Sequence, residues 1–212
     1  GFIINFSYIY KVNYKDMNIL IIASARCGGR YLMESLAKTY NLKPWHEPRY
    51  GTLKKHSSFD NMCIKVHLPS KNRYAKYTNE EWLELGSKFD HIIVLHRKLT
   101  TEYLESLYTL WNITKDMYIA YNYETTLKNH MATFETKEDY ENHHQSLTTQ
   151  HSNSQKIIKK RLNEIASLFN KKLVLYDELY YNPNKIDYLN GLEFNPDLNH
   201  KLRTTGSIKP LI

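Results

Sequence analysis

Asn18-Ile19-Leu20-Ile21-Ile22-Ala23-Ser24-Ala25-Arg26-Cys27-Gly28-Gly29-Arg30-Tyr31-Leu32-Met33-Glu34-Ser35-Leu36 is the stretch from which the rest of the chain is read. Ile19 to Ala23 is a continuous apolar run of strand length, as expected for a strand buried on both faces. Small residues, two glycines and two arginines follow, and then Tyr31, Leu32, Ser35 and Leu36 recur at helical spacing. The order is strand, tight loop, helix. Gly28 and Gly29 let backbone approach a ligand closely, and the helix behind them offers free N–H groups and the positive end of its dipole. With the formal charge of Arg26 and Arg30, the stretch reads as a cradle for a phosphate or a sulfate. The plainer alternative is a β–α turn with two surface arginines.

Three common anion loops are excluded by spacing. A nucleoside-triphosphate loop needs Gly, four residues, then Gly-Lys-Ser/Thr, and no Lys-Ser/Thr pair follows these glycines. The dinucleotide fingerprint needs spaced glycines, whereas Gly28 and Gly29 are adjacent. A Cys-x5-Arg phosphatase would put Arg where Met33 stands.

The stretch resembles the 5′-phosphosulfate loop of sulfotransferases, a strand ending in Pro-Lys/Arg-Ser-Gly-Ser/Thr-Thr before an aromatic residue or leucine. Ala25 stands for the Pro, Arg26 for the basic residue, Cys27 for the Ser and Gly28 for the Gly, while Gly29 and Arg30 replace the two hydroxyl residues and Tyr31 is the aromatic. A second match is Ile93-Val94-Leu95-His96-Arg97-Lys98 with Ser106 nine residues beyond Arg97. In the family a strand-end Arg and a helical Ser at this distance hold the donor's 3′-phosphate, a task suited to the bidentate guanidinium. Two weaker matches follow. Leu173 to Leu179, with Pro183, resembles the strand that closes the family core. The segment around Arg203 resembles the late Arg-Lys-Gly loop, with Thr204-Thr205 in place of Lys-Gly. The resemblance runs from Asn18 to about Pro183 and leaves 112–154 unmatched.

The resemblance implies a fold, a donor and roles. The fold is α/β, three-layered, with a mostly parallel central sheet and helices on both faces. The donor is 3′-phosphoadenosine 5′-phosphosulfate, the product 3′-phosphoadenosine 5′-phosphate, and no metal is needed. Arg26 occupies the position of the cation that stabilises charge on the departing nucleotide. Two residues compete as general base: Glu47, placed as in bacterial carbohydrate and tyrosylprotein sulfotransferases, and His67 in Lys65-Val66-His67-Leu68-Pro69, which resembles the Lys-Thr-His-Leu-Pro of the cytosolic enzymes. Glu47 is favoured, with Lys65 assisting at the sulfate.

Composition bounds the reading. With 212 residues, 42% of them hydrophobic and 24% charged, the chain suits one globular α/β domain over 17–212. A net charge of +7 favours an anionic ligand. Lys156 to Arg161 is the densest basic run, but Ile157, Ile158 and Leu162 read as the apolar face of a helix whose lysines are solvated, so nucleic acid is not expected as a partner. Two cysteines give no disulfide framework and point to a reducing compartment, and a natural start at Met17 would imply a cytoplasmic protein. No apolar run reaches membrane-spanning length. Met17 reads as a natural start, with residues 1–16 an N-terminal extension.

Along the chain the expected elements are a helix over 29–40, a loop from Asn41 to Pro48, an exposed polar excursion over 49–60, a strand Met62–His67, a capped helix after Thr78, a strand Asp90–Arg97, a helix from Thr100 or Thr101 through Trp111, a helix Ile157–Phe169 and a strand Lys172–Tyr176. The aromatic, polar segment 112–154 is expected to be a helical cap forming the acceptor wall, for a carbohydrate, a small molecule or a peptide tyrosine. Its adjacent His143 and His144 read as solvated surface rather than metal ligands. Other readings are an inactive nucleotide-binding module of the same fold, an atypical phosphotransferase and a basic nucleic-acid binder.

Overall fold

The computed structural model describes residues 17–48, 50–68, 77–98, 100, 103, 135–181, 189 and 191–194. At its centre is the apolar run of the quoted stretch. β1 (Ile19–Ala23) has all five residues at zero exposure, because strands lie on both sides of it and helices above and below. β1 pairs in parallel with β3 (Met62–His67) on one side and β4 (His91–His96) on the other. β2 (Lys43–His46) extends the sheet beyond β3, and β5 (Leu173–Leu175) beyond β4. The order is β2-β3-β1-β4-β5, parallel throughout these strands. This is the α/β architecture expected from buried strands alternating with helices.

Side-chain alternation along β1 divides the core in two. Ile19, Ile21 and Ala23 pack with Leu32, Met33 and Leu36 of α1 (Gly29–Thr39), joined by Leu179 and Tyr180 of a short helix at Tyr176–Tyr181. Leu20 and Ile22 face the opposite way, onto Trp82 and Leu85 of α3 (Asn79–Gly86) and Ile158, Leu162 and Ile165 of a long helix, α4 (Lys137–Leu168). α2 (Tyr50–Lys55) links β2 to β3, and the short helix after β5 is α5. α1 buries Gly29, Leu32, Met33, Leu36 and Ala37, one stripe at the helical period. α3 starts with a reciprocal cap: Thr78 Oγ1 accepts from Glu81 N at 3.2 Å, and Glu81 Oε2 accepts from Thr78 N at 3.0 Å.

Five expectations need correction. Residues 43–46 form an edge strand rather than loop. Pro44 is tolerated there because an edge strand leaves one row of N–H groups without a partner strand. The excursion over 49–60 contains α2 and contributes Leu53 and Phe59 to the core, at 0% and 4% exposure. The amphipathic helix begins near residue 137 rather than 157, so 137–154 belongs to the 32-residue α4, started by Thr136 Oγ1 accepting from Asp139 N at 3.1 Å. Ile157 does not join the apolar face; at 63% exposure it points outward, and Gln155 takes the buried position one turn before Ile158. Tyr176 also leaves the strand and opens α5. Residues 1–16, Ser106, the segment 112–134, Pro183 and Arg203 lie outside the described residues.

Candidate functional site

The chain direction changes sides at β1 and β4. The segment after β1 leads toward β2, and the segment after β4 leads toward β5 at the other edge. Ligand crevices in open parallel sheets form at such a point, at the carboxyl ends of the strands. The loop Ser24–Gly28 stands there.

Several bonds fasten this loop to the sheet. Ser24 N donates to Leu95 O at 3.0 Å, and Leu68 N donates to Ala23 O at 2.9 Å, tying the ends of β1, β3 and β4 together. The buried Ser24 Oγ accepts from Arg97 N at 3.3 Å and lies 3.2 Å from His96 Nδ1. Burial, with Lys159 adding to it, lowers the His96 pKa to about 4, so the ring is neutral. Cys27 Sγ donates to Ser24 O at 2.9 Å; at 1% exposure its thiol is pushed up by burial and is not presented to a ligand.

Gly28 adopts φ +71° and precedes α1 without capping it by a side chain. A helix of this length with an uncapped start keeps donor capacity and a positive dipole end for an anion. A Cβ at Gly28 would lie 2.7–2.9 Å from the Tyr180 ring and hydroxyl, and Tyr180 OH donates to Gly28 O at 2.8 Å. At Gly29 a Cβ would come within 3.0 Å of Ala23 Cβ and 3.3 Å of Lys65 Cε. The second glycine therefore gives room to the lysine of β3.

The register of β2 on β3 sets His46 against Lys65 and brings Glu47 to the same end of the sheet. Glu47 N donates to Lys65 O at 2.8 Å, while Lys65 Nζ forms a short ion pair with Glu47 Oε1. His46 Nε2 is 3.6 Å and His67 Nδ1 4.0 Å from the same oxygen. Burial pushes the Glu47 carboxyl up, but the Lys65 charge and hydrogen bond outweigh it, with help from His67 and His46, and hold it below the usual carboxylate range. His67 is lowered to about 4 by burial and by Lys65, against the opposing pull of Glu47. Its Nε2 is buried with no hydrogen-bond partner among the described residues.

Among the described residues, five non-glycine residues have positive φ, and Asn41, Asn61 and Asn170 are of a type that tolerates it. The other two are Arg26 at φ 52° and Glu47 at φ 49°. Backbone strain at such positions costs of order 1–3 kcal/mol and clusters at functional sites.

Arg97 is nearly enclosed, at 7% exposure. Its Nη1 donates to Arg26 O at 3.1 Å, and its guanidinium carbon lies 4.2 Å from the centre of the Tyr176 ring. Arg97 thus braces the loop from behind. Arg30 turns along α1 to Glu34 at 2.7 Å, an exposed pair. Tyr31 packs beside Tyr180 and Phe194, with ring centres 6.1 and 6.2 Å away. Thr100 Oγ1 accepts from Tyr103 N at 3.2 Å, as expected of a cap; Tyr103 OH in turn accepts from Gln155 Nε2 at 2.5 Å, which connects the segment after β4 to α4.

No family model, curated protein or solved structure matches this chain. The site therefore rests on its own geometry. The sequence-predicted residues Arg26, Cys27, Gly28, Gly29, Glu47, Lys65, His67 and Arg97 come together at one end of the sheet. Sequence reasoning missed His46, Tyr176 and Tyr180; only the tyrosine-rich run Tyr176–Tyr181 after a strand carried any signal for the last two.

Two further features bear on ligands. Among the described residues, no group of three His, Cys, Asp or Glu is placed to hold a metal ion, and no helix is long and apolar enough to cross a membrane. An open groove between α3 and α4, lined by Asn79, Lys156, Lys159, Lys160 and Asn163, lies on the outer surface of the helix layer opposite α1. Those lysines are exposed, as expected of a solvated helix face.

Proposed function

We propose that this protein is a sulfotransferase of the P-loop-like sulfotransferase fold. It takes a sulfuryl group from 3′-phosphoadenosine 5′-phosphosulfate to a hydroxyl or amine of an acceptor: a carbohydrate, a small molecule or a peptide tyrosine. The observation that carries this reading is the strained pair. Arg26 and Glu47, which the resemblance marks as cation and base, are the two non-Asn side chains held at positive φ among the described residues, both at the carboxyl end of the sheet.

In this reading the donor's 5′-phosphosulfate lies on the Ser24–Gly28 loop and the start of α1. The acceptor O–H gives its proton to Glu47 as its oxygen bonds to sulfur. The bond from sulfur to the bridging oxygen breaks, its electron pair stays on the 5′-phosphate, and Arg26 offsets that charge. His67 is the alternative base, because it faces the same Glu47 oxygen and is neutral.

One observation favours an inactive binding module instead. The Cys27 thiol bonds Ser24 O and Arg30 turns to Glu34, so neither side chain is directed at the loop's mouth. Donor binding without transfer would then remain.

A thermal-shift series tests the proposal. 3′-Phosphoadenosine 5′-phosphate should stabilise the protein without magnesium, by about 2.7 kcal/mol at a hundredfold excess over its dissociation constant. Stabilisation only by ATP or GTP with magnesium would indicate a phosphotransferase.

A further inference from the structure

The base of the proposed reaction is masked. Glu47 has a 40% exposed side chain, but its Oε1 is held by Lys65, and a carboxylate kept below its ordinary range is a weak base. Lys65 is the constrained partner. Its side chain is only 8% exposed, and its shaft runs past Gly29, the first residue of α1. A desolvated ammonium requires an anion close by. In this structure that anion is Glu47, and an oxyanion at the start of α1 would be a second one within the same short reach.

Resting on the proposed function, we infer that Lys65 is a shared cation: it neutralises Glu47 while the loop is empty and transfers to the bound oxyanion when the loop fills, freeing Glu47 to accept a proton. Catalytic competence is thereby linked to donor occupancy. Gly29 is needed because a side chain there would obstruct the lysine shaft between its two positions.

The charged and titratable groups around Glu47 are consistent with this exchange. From β3 come Lys65 and His67, and from β2 comes His46, itself lowered by burial and by Lys65. Arg30 and Glu34 of α1 act on His46 but form a salt bridge with each other. His67 is lowered to about 4, so among the described residues around Glu47 it is Lys65 whose position can change the basicity of that carboxylate.

The experiment is a site-resolved carboxyl NMR titration of Glu47 in the full chain, with inorganic sulfate and, separately, 3′-phosphoadenosine 5′-phosphate as probes. Sodium chloride at matched ionic strength is the control. Sulfate should raise the Glu47 midpoint into or above the ordinary carboxylate range while chloride leaves it low. In Lys65→Met the midpoint should already be high in chloride, and sulfate should add little. A wild-type midpoint unmoved by sulfate overturns the inference. So does an equal sulfate-induced rise in wild type and Lys65→Met, which would mean that the anion acts by its own charge alone. Failure of the nucleotide to bind, with the sulfate response intact, would contradict the proposed donor and leave the exchange standing.

Discussion

Tyr180 closes over Gly28: its hydroxyl donates to the Gly28 carbonyl at 2.8 Å, and its ring occupies the space that any β-carbon at residue 28 would need. The loop glycine is thus fixed from the protein side, by α5. Left-handed backbone costs a non-glycine residue roughly 1–2 kcal/mol, before any displacement of the ring. Gly28→Ala should therefore lower stability by about 2 kcal/mol or more, and Tyr180→Phe by about 1 kcal/mol through its lost hydrogen bond. Urea unfolding measures both; a neutral Gly28→Ala would show that the ring moves aside freely.

Arg97 braces the loop through Arg26 O and Tyr176, and under the proposed function it would also bind the donor's 3′-phosphate. Arg97→Ala should weaken both 3′-phosphoadenosine 5′-phosphate and adenosine 5′-phosphate, with the larger loss for the first. Calorimetry with the two nucleotides separates the tasks. Equal losses would leave Arg97 as a brace alone.

Acid should loosen the site from beneath. His96 is 2% exposed beside Ser24, and its pKa falls from the ordinary 6.5 to about 4 on folding. The unfolded chain therefore binds a proton more readily than the folded one between those values. The stability contributed by the neutral ring is present above about pH 6.5 and is lost as pH falls toward 4, by about 3 kcal/mol at most. Glu47, also lowered on folding, adds loss in the same direction as pH falls through its ordinary range. Melting temperatures across this window should drop, and His96→Asn should flatten the slope. An unchanged slope in the variant would assign the acid sensitivity elsewhere.

Gly86 supports the opposite face of the sheet. A β-carbon there would sit 2.2 Å from Phe169 Cε1 and 3.0 Å from Ile92 Cδ1, where α3 meets the end of α4. Gly86→Ala should cost about 1–3 kcal/mol by overpacking while leaving nucleotide affinity unchanged. A lost affinity would mean that the two faces of the sheet are coupled.

What the sequence revealed follows from burial. β1 and β4 are surrounded on all sides, so each is written as a solid apolar run followed by polar residues, and β3 departs from that pattern within its buried stretch only at Lys65, so both loop and strand ends could be read directly. β2 is exposed along Lys43, Pro44 and His46, with only Trp45 half-buried, so it has no pattern to distinguish it from a loop. α2 shows its place in the core through Leu53, a single residue that cannot mark a period. The first half of α4 is polar, and its start is marked chiefly by Thr136. The cluster at Glu47 was hidden for another reason. Lys65 and Glu47 were each legible as candidates, but their ion pair depends on the register of β2 against β3 and on the turn at Glu47, neither of which a sequence encodes locally.

The division of labour between Glu47 and His67 is open to a direct comparison. Glu47→Gln keeps shape and hydrogen bonding but not basicity, so donor binding should persist while turnover falls by roughly 10²–10⁴. His67→Asn should retain most activity. The reverse pattern, an active Glu47→Gln and a dead His67→Asn with donor binding intact, would make His67 the base.

Under the proposed function, the Ser24–Gly28 loop and Arg97 receive 3′-phosphoadenosine 5′-phosphosulfate. Calorimetric titration of 3′-phosphoadenosine 5′-phosphate into the wild-type protein in the presence of a chelator tests it most directly. One-to-one binding that persists without metal and is weakened in Arg97→Ala is expected. No binding under those conditions, together with binding of ATP and magnesium at the same loop, would contradict it.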